Sequence, residues 1–286
     1  VMAGIGAAGG IAAYVLTDAG LRVVAIEAGP RLDKADFLAH NDELQARWAW
    51  DSEPKFNKEI PTWRRSSTRE TERYTPSMMS NLVGGTSIHW TAVSWRFLED
   101  DFKVRSSTIE RYGERALPEG TNLADWAVTY DELEPYYEKV EKLIGVAGES
   151  GVNPFEAPRQ SGYPMPPLQR FGGSEYIAEG MSGLGYHPFS APSAINSEEY
   201  DGRPACSYCG YCGGHGCWND SKSSTLVTAI PRAEATGNLE IRTNCRVFRV
   251  LTDASGRASG VEYRGDDGNR YLQPAKLVIL SAYTYE

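Results

Sequence analysis

Four cysteines stand within twelve positions, Cys206-x2-Cys209-x2-Cys212-x4-Cys217, out of five in a chain of 286 residues. Several thiolates converging from one short loop are the ligand chemistry of iron–sulfur clusters, and ferredoxin-type loops read C-x2-C-x2-C-x3-C. Gly210, Gly213, Gly214 and Gly216 supply the backbone freedom that wrapping requires. Three other readings stay open. Zinc usually takes two C-x2-C pairs held well apart, a separation missing here, although His215 could add a nitrogen. Two disulfides across such short gaps are geometrically awkward. Thiols that bind nothing are the last case. Cys245 lies apart on an expected strand and reads as a core thiol.

A second constellation opens the chain. Gly4-Ile5-Gly6-Ala7-Ala8-Gly9 fits G-x-G-x-x-G, a helix-compatible run follows over residues 10–19, and Gly20 ends it. Arg22-Val23-Val24-Ala25-Ile26 then reads as a buried parallel strand, ending at Glu27, 18 residues after Gly9. Strand, turn, helix, strand and acid in this order form the dinucleotide-binding arrangement. Gly4 permits the tight turn, Gly6 lets the backbone approach a pyrophosphate, and Gly9 allows close helix–strand packing. The helix N-terminus faces the phosphate charge, and Ala7 and Ala8 in the loop read as cofactor contacts. Glu27, followed by Ala28, can accept both ribose hydroxyls and would repel a 2′-phosphate. A signal peptide is the competing reading of this apolar start, but no basic segment precedes it. The first strand should supply about five residues before Gly4, and Val1-Met2-Ala3 are the ones here, so the sequence is expected to start inside a strand.

The third constellation is Asn81-Leu82-Val83-Gly84-Gly85-Thr86-Ser87-Ile88-His89-Trp90. Gly84 and Gly85 let backbone approach a flat ligand, Thr86 can donate to it, and Trp90 can pack on an apolar edge. Standing alone, the segment reads more readily as a turn with a core tryptophan. His89 reads as a packing or ligand-contact residue, not a catalytic base. His40, His187 and His215 lack partner signals.

The elements around these residues are expected as follows. Residues 31–75 lack a clean period, and Arg64, Arg65, Arg69 and Arg73 among Glu70 and Glu72 read as a solvated face. Residues 106–128 read as loop. Thr129 and Glu132 form a capping box, Pro135 suits the first turn, and Gly145 ends a helix whose apolar face is Tyr136, Tyr137, Val140, Leu143 and Ile144. Residues 150–172, rich in Pro and Gly, read as an extended loop. A helix with a break at Pro231 is expected over 221–236. Strands at 239–242, 246–251, 259–264 and 270–272 follow as a β-meander, leading into a buried strand at 276–281. The class is α/β. A βαβ start with a meander returning to a parallel strand fits FAD-binding folds better than NAD-binding ones, which continue as βαβαβ.

Composition narrows the partners. A formal charge of −9 and a pI near 5.1 argue against nucleic acid or an anionic membrane. No window approaches 18 consecutive apolar residues, so no bilayer-spanning helix is expected.

The chain resembles the glucose–methanol–choline oxidoreductases, whose glycine-rich start, G-G-x-S/T loop and meander occur in this order. The bacterial branch of sugar and sugar-acid dehydrogenase large subunits is especially similar. The matching features are Gly84-Gly85-Thr86 followed by His89-Trp90, then Trp95-Arg96-Phe97, and Tyr200-Asp201-Gly202-Arg203-Pro204 running into Cys206. One departure is Ala282-Tyr283-Thr284-Tyr285-Glu286, where the family has a Gly-Ala turn. The resemblance implies a Rossmann-like parallel sheet with a β-meander that binds FAD, over residues 1–30, 76–105 and 218–286. It also implies an inserted α+β, loop-rich substrate and lid region over 31–75 and 106–217. Gly84, Gly85 and Thr86 would line the flavin, and the strand around Val247 would border the adenine. Relatives carry a 3Fe–4S cluster, which needs three thiolates. The implied activity is dehydrogenation of a CH–OH group of a sugar or sugar acid, with a catalytic His pair beyond residue 286. A small subunit and a c-type cytochrome are the implied partners, at the periplasmic face. An NAD-linked zinc alcohol dehydrogenase-like enzyme and an inactive cofactor-binding fragment stay as alternatives.

Overall fold

The structure, a computed structural model, describes residues 1–33, 36–37, 62–73 and 80–283. His40 and residues 284–286 lie outside them. The chain divides into two compact units, Val1–Ala92 with Cys206–Glu286, and Val93–Ala205. The cysteine run therefore folds with the dinucleotide motif, whereas the sequence reading set it in the inserted region.

The first unit starts as the glycine pattern dictates. Strand β1 (Met2–Ala3) runs into helix α1 (Ala7–Asp18) and then strand β2 (Val23–Ile26). Gly4 takes φ +87, which an L side chain rarely adopts. Gly9 and Gly10 inside α1 each cost about 1 kcal/mol of helix propensity. Close packing explains their presence: a Cβ on Gly9 would lie 2.8 Å from the Gly4 carbonyl, and one on Gly10 2.6 Å from Thr225 Cβ. Gly20 stops the helix at φ +82, with Leu21 N–H donating to the Leu16 carbonyl at 3.0 Å.

A short antiparallel hairpin follows, β3 (Thr62–Trp63) with β4 (Glu72–Arg73). Arg64, Arg65 and Arg69 in its connection are exposed, as expected for a solvated face.

In the second unit, helix α2 (Val104–Tyr112) occupies part of the segment expected to be loop. None of its residues is buried, so it lacks the apolar period that would have announced it. Helix α3 (Tyr130–Ile144) has the expected capping box, with Glu132 N–H donating to Thr129 Oγ1 at 3.3 Å and Thr129 N–H to Glu132 Oε2 at 2.8 Å. Pro135 lies inside the helix, beyond its first turn. The buried face also differs from expectation. Tyr136 is exposed, whereas Glu134 and Glu141 are buried beside Tyr130 and Leu143. Arg96 explains this: its guanidinium donates to both Glu141 oxygens at 2.8 Å and to Glu134 Oε1 and Tyr130 OH at 3.0 Å. Arg159 Nη2 adds a bond to Glu141 at 2.5 Å. Residues 150–171 run as loop. Helix α4 (Gly172–Gly183), also without buried residues, was not expected.

The chain re-enters the first unit at Cys206. Residues 221–228 form buried turns, and helix α5 (Ala229–Ala235) begins after them. Pro231 sits in its first turn, where no N–H is needed, so it breaks nothing. Strand β5 (Leu239–Arg242) pairs parallel with β2, Val23 facing Leu239. It belongs to the parallel sheet, not to the meander. The short gap to the next strand imitates a hairpin, but Cys245 N–H donates to the Glu27 carbonyl and Asn244 N–H to that of Gly29. The meander is β6 (Arg246–Thr252), β7 (Ala258–Arg264) and β8 (Arg270–Pro274). Strand β9 (Ile279–Leu280) returns to β1, completing a parallel sheet of order β5-β2-β1-β9. The α/β class is as expected. The sheet and α1 close on a core of Met2, Ile5, Ala13, Val23, Ala25, Leu82, Ile88 and Ile230.

Candidate functional site

The dinucleotide loop and the second glycine loop meet backbone to backbone. Leu82, Val83 and Ile88 sink into the core and anchor the second loop. Gly84 (φ +94) N–H donates to the Ile5 carbonyl at 2.9 Å. Gly85 (φ +54) lies so near Gly6 that a Cβ on it would stand 2.9 Å from Gly6 Cα. Residues Gly85–Ile88 then form a 3-10 turn. Ser87 Oγ donates to the Gly84 carbonyl at 2.6 Å and accepts from Thr225 N–H at 3.2 Å. Thr225 Oγ1 in turn donates to the Gly6 carbonyl at 3.2 Å. Gly6, Gly84, Gly85, Ser87 and Thr225 are thus one network. Thr86 is half-buried in it, and Ala7 and Ala8 stand exposed at the start of α1. Gly6 precedes that helix without a side-chain cap, so its first-turn N–H groups remain for an anion.

Glu27 is buried and clasps the turn. Its Oε2 accepts from Ile5 N–H at 3.1 Å and its Oε1 from Gly29 N–H at 3.0 Å. Burial raises its pKa, opposed by those backbone bonds. Each oxygen keeps a further lone pair for a ribose hydroxyl. Ala28 beside it is half-buried. Val247 on β6 packs with Ile26, Val261 and Tyr263 next to β2. Backbone cradles that no Cβ can enter, an open helix N-terminus and an acid at the end of β2 fit the adenosine diphosphate part of a dinucleotide.

His89 is buried, its Nε2 3.4 Å from Ser80 Oγ and its Nδ1 without a hydrogen-bond partner among the described residues. Burial first, then the Lys222 and His215 charges, lower its pKa to about 4. It is a neutral packing residue near pH 7. Trp90 Nε1 donates to the Ser223 carbonyl at 2.7 Å. His187 is exposed in the other unit.

Cys206, Cys209, Cys212 and Cys217 are half-buried on one loop that turns through left-handed positions at Tyr208, Gly210 and Gly214. Tyr208 N–H donates to Cys206 Sγ at 3.3 Å, and Lys222 N–H to Cys217 Sγ at 3.4 Å. Burial raises the Cys212 thiol, the Lys222 charge lowers it, and the other three thiols raise it. The four sulfurs therefore share one electrostatic neighbourhood, and thiolates with N–H donors suit an iron–sulfur cluster in kind. Among the described residues, however, no three His, Cys, Asp or Glu groups stand close enough together to hold a metal ion. Cys245 packs half-buried beside the meander core, as expected.

Sequence reasoning missed residues 221–225, taking Ser221-Lys222-Ser223-Ser224-Thr225 for helix. All five are buried, and Ser223 and Thr225 bond to Trp90, Ser87 and Gly6 of the two loops. Such a run of Ser and Thr competes for backbone hydrogen bonds, and this was the available signal.

Fold and site together define an α/β dinucleotide-binding protein. The chain belongs to the GMC oxidoreductases, whose sequence pattern matches residues 119–286. It is 34% identical over 309 residues to the gluconate 2-dehydrogenase flavoprotein of Pantoea cypripedii, covering 100% of this chain and 50% of that protein. It is 30% identical over 308 residues to the fructose dehydrogenase large subunit of Gluconobacter japonicus, covering 99% of this chain and 51% of that one. The chain spans about half the length of these curated relatives. A crystal structure of formate oxidase shares the fold, with TM-score 0.54 at 16% identity over 98% of this chain and 44% of that one. The family resemblance read from the sequence is thereby established, and the NAD-linked zinc alternative is set aside.

Proposed function

We propose that this chain is the FAD-binding part of a dehydrogenase that oxidises a CH–OH group of a sugar or sugar acid. Cys206, Cys209, Cys212 and Cys217 are the residues that would hold an iron–sulfur cluster, of which a 3Fe–4S cluster would use three, and such a cluster would supply a one-electron exit to an external acceptor. Bound FAD supplies a hydride acceptor. Gly4, Gly6, Gly9 and the first turn of α1, with Ala7 and Ala8, hold the pyrophosphate. Glu27 and Ala28 meet the ribose, and Val247 borders the adenine. Gly84, Gly85 and Thr86 face the flavin, with His89 and Trp90 packing the loop from behind.

One observation carries the reading: the cysteine loop is hydrogen-bonded to the second glycine loop. Gly214 N–H donates to the His89 carbonyl at 2.9 Å, and Trp90 joins Ser223 as above. Four thiols tied to the loop that faces the flavin suit an electron exit. The names of the two dehydrogenases cited above point to sugars and sugar acids as substrates. A small subunit and a c-type cytochrome at the periplasmic face are the proposed partners.

Cys212→Ser tests this. The variant should keep its flavin and lose iron. In the intact enzyme that contains this chain, under anaerobic conditions, gluconate, fructose or glucose should still bleach the flavin once, while sustained reduction of a cytochrome c acceptor fails. Acceptor reduction at the original rate in Cys212→Ser would remove the cysteines from the electron path.

A further inference from the structure

The second unit carries a notch beside the ion-pair network of α3, lined by Trp95, Arg96, Glu149, Asn153, Glu156, Tyr163 and Phe189 among others. Its floor is rigid. Glu156 Oε1 accepts from Tyr163 OH at 2.9 Å and from Arg159 Nη1 at 3.3 Å, and its Oε2 accepts from Gly151 N–H at 3.2 Å. The Arg159 guanidinium lies 3.8 Å from the centre of the Tyr163 ring. The wall is an extended segment, held where Val93 bridges to Ser193 and Ser94 N–H donates to the Pro192 carbonyl at 2.9 Å. Along it Ala92 and Arg96 are buried, whereas Trp95 is 53% exposed. The Phe189 ring meets the indole edge-on, with centroids 5.9 Å apart and planes at 89°. The indole is thus oriented by packing while much of its surface faces solvent.

Two polar groups in the lining have capacity to spare. The Asn153 side-chain oxygen accepts from Phe155 N–H at 3.0 Å, which leaves its NH2 to donate. Glu149 is exposed, with no hydrogen bond or ion pair among the described residues. The notch encloses about 40 Å³, room for about three water-sized groups at about 10–15 Å³ each. That space suits the hydroxyls at one edge of a sugar ring. The C–H face of the ring can then lie on the indole, while carboxylate and amide take the hydroxyls.

Charge decides between a sugar and a sugar acid. Among the described lining residues Arg96 is the one cation, and its guanidinium is committed to Glu141, Glu134 and Tyr130. A ligand carboxylate entering here would meet Glu149 and Glu156, and like charges repel. A neutral sugar brings no such cost.

We propose that this notch is a sugar-binding subsite, with Trp95 as its platform and Glu149 and Asn153 as its hydroxyl partners, and that it selects neutral sugars over sugar acids. This deepens the reading of sugar oxidation and rests on it.

The test uses the intact enzyme that contains this chain. Anaerobic flavin bleaching is followed in stopped flow against the concentration of glucose, fructose or gluconate, giving a Kd and a limiting rate for each. Wild-type enzyme should bind glucose or fructose more tightly than gluconate. Trp95→Ala should raise the Kd of that sugar about tenfold, more than it slows the limiting rate, with flavin content retained. Trp95→Phe should recover most of the binding, which a merely structural tryptophan would not require. Glu149→Gln should narrow the gap between the neutral sugar and gluconate. An unchanged Kd in Trp95→Ala, or a wild-type preference for gluconate that Glu149→Gln leaves unmoved, would overturn the proposal while sugar oxidation stands. If Trp95→Ala does not fold, Trp95→Phe and Glu149→Gln decide. Intact wild-type enzyme whose flavin none of these compounds bleaches would refute the reading of sugar oxidation, and the proposal with it.

Discussion

Gly85→Val strikes the point where the two glycine loops touch. Gly85 has φ +54, and a non-glycine residue held in such a conformation costs about 1–3 kcal/mol. A Cβ there would stand 2.9 Å from Gly6 Cα, a backbone atom that cannot swing aside like a side chain. Forcing atoms into packed space adds about 1–3 kcal/mol, giving about 2–6 kcal/mol in all. Whole domains are stable by only about 5–15 kcal/mol, so separation of the loops is the cheapest relief. At 1.4 kcal/mol per factor of ten, even about 3 kcal/mol taken from the bound arrangement lowers FAD affinity about 100-fold. Gly20→Ala is the control: φ is +82 there, but a Cβ would meet nothing within 4 Å. It carries the strain without the clash and should keep its flavin. Flavin per chain after gel filtration, together with the melting temperature, reads both variants. Gly85→Val with wild-type flavin content and an unchanged melting temperature would refute the close approach of Gly6 and Gly85.

Three further outcomes are expected. Glu27→Ala leaves Ile5 N–H and Gly29 N–H without their acceptors, at about 1–3 kcal/mol each; a lower melting temperature and weaker flavin retention should appear together, and unchanged retention would detach Glu27 from the ribose. His89 has a folded pKa of about 4 against an ordinary 6.5, so its contribution to stability is present above pH 6.5 and is lost as pH falls towards 4; His89→Phe should flatten that part of the stability–pH profile, and an unaltered slope would contradict a buried neutral imidazole. Arg96→Met removes the ion-pair partner of the buried Glu134, while Glu141 keeps Arg159, and should cost about 3–5 kcal/mol, read as a lower urea midpoint.

Local chemistry determined what was legible in the sequence. The βαβ start was readable because each glycine answers a local demand: Gly4 and Gly20 have positive φ, and Gly9 sits under a carbonyl. The capping box of α3 was readable because Thr129 and Glu132 act within one turn. Long-range pairing was not readable. Leu239–Arg242 joins β2 across more than two hundred residues, and nothing local separates it from a hairpin arm. Glu134 and Glu141 are inward only because Arg96 and Arg159 meet them. Helices α2 and α4 bury no side chain and so show no apolar stripe. At the candidate site, the two glycine loops were visible by their spacing. Lys222 and Thr225 were not, because their partners lie over a hundred positions away at Trp90 and Gly6.

The proposal that one unit of this chain holds both a flavin and an iron–sulfur cluster is tested most directly on the purified protein. Its absorption spectrum is recorded, and FAD, iron and acid-labile sulfide are quantified in the same sample. Flavin bands above a broad iron–sulfur shoulder, with iron and sulfide in proportion to FAD, are the expected result. A colourless protein, or one that carries zinc in place of iron, would contradict the account.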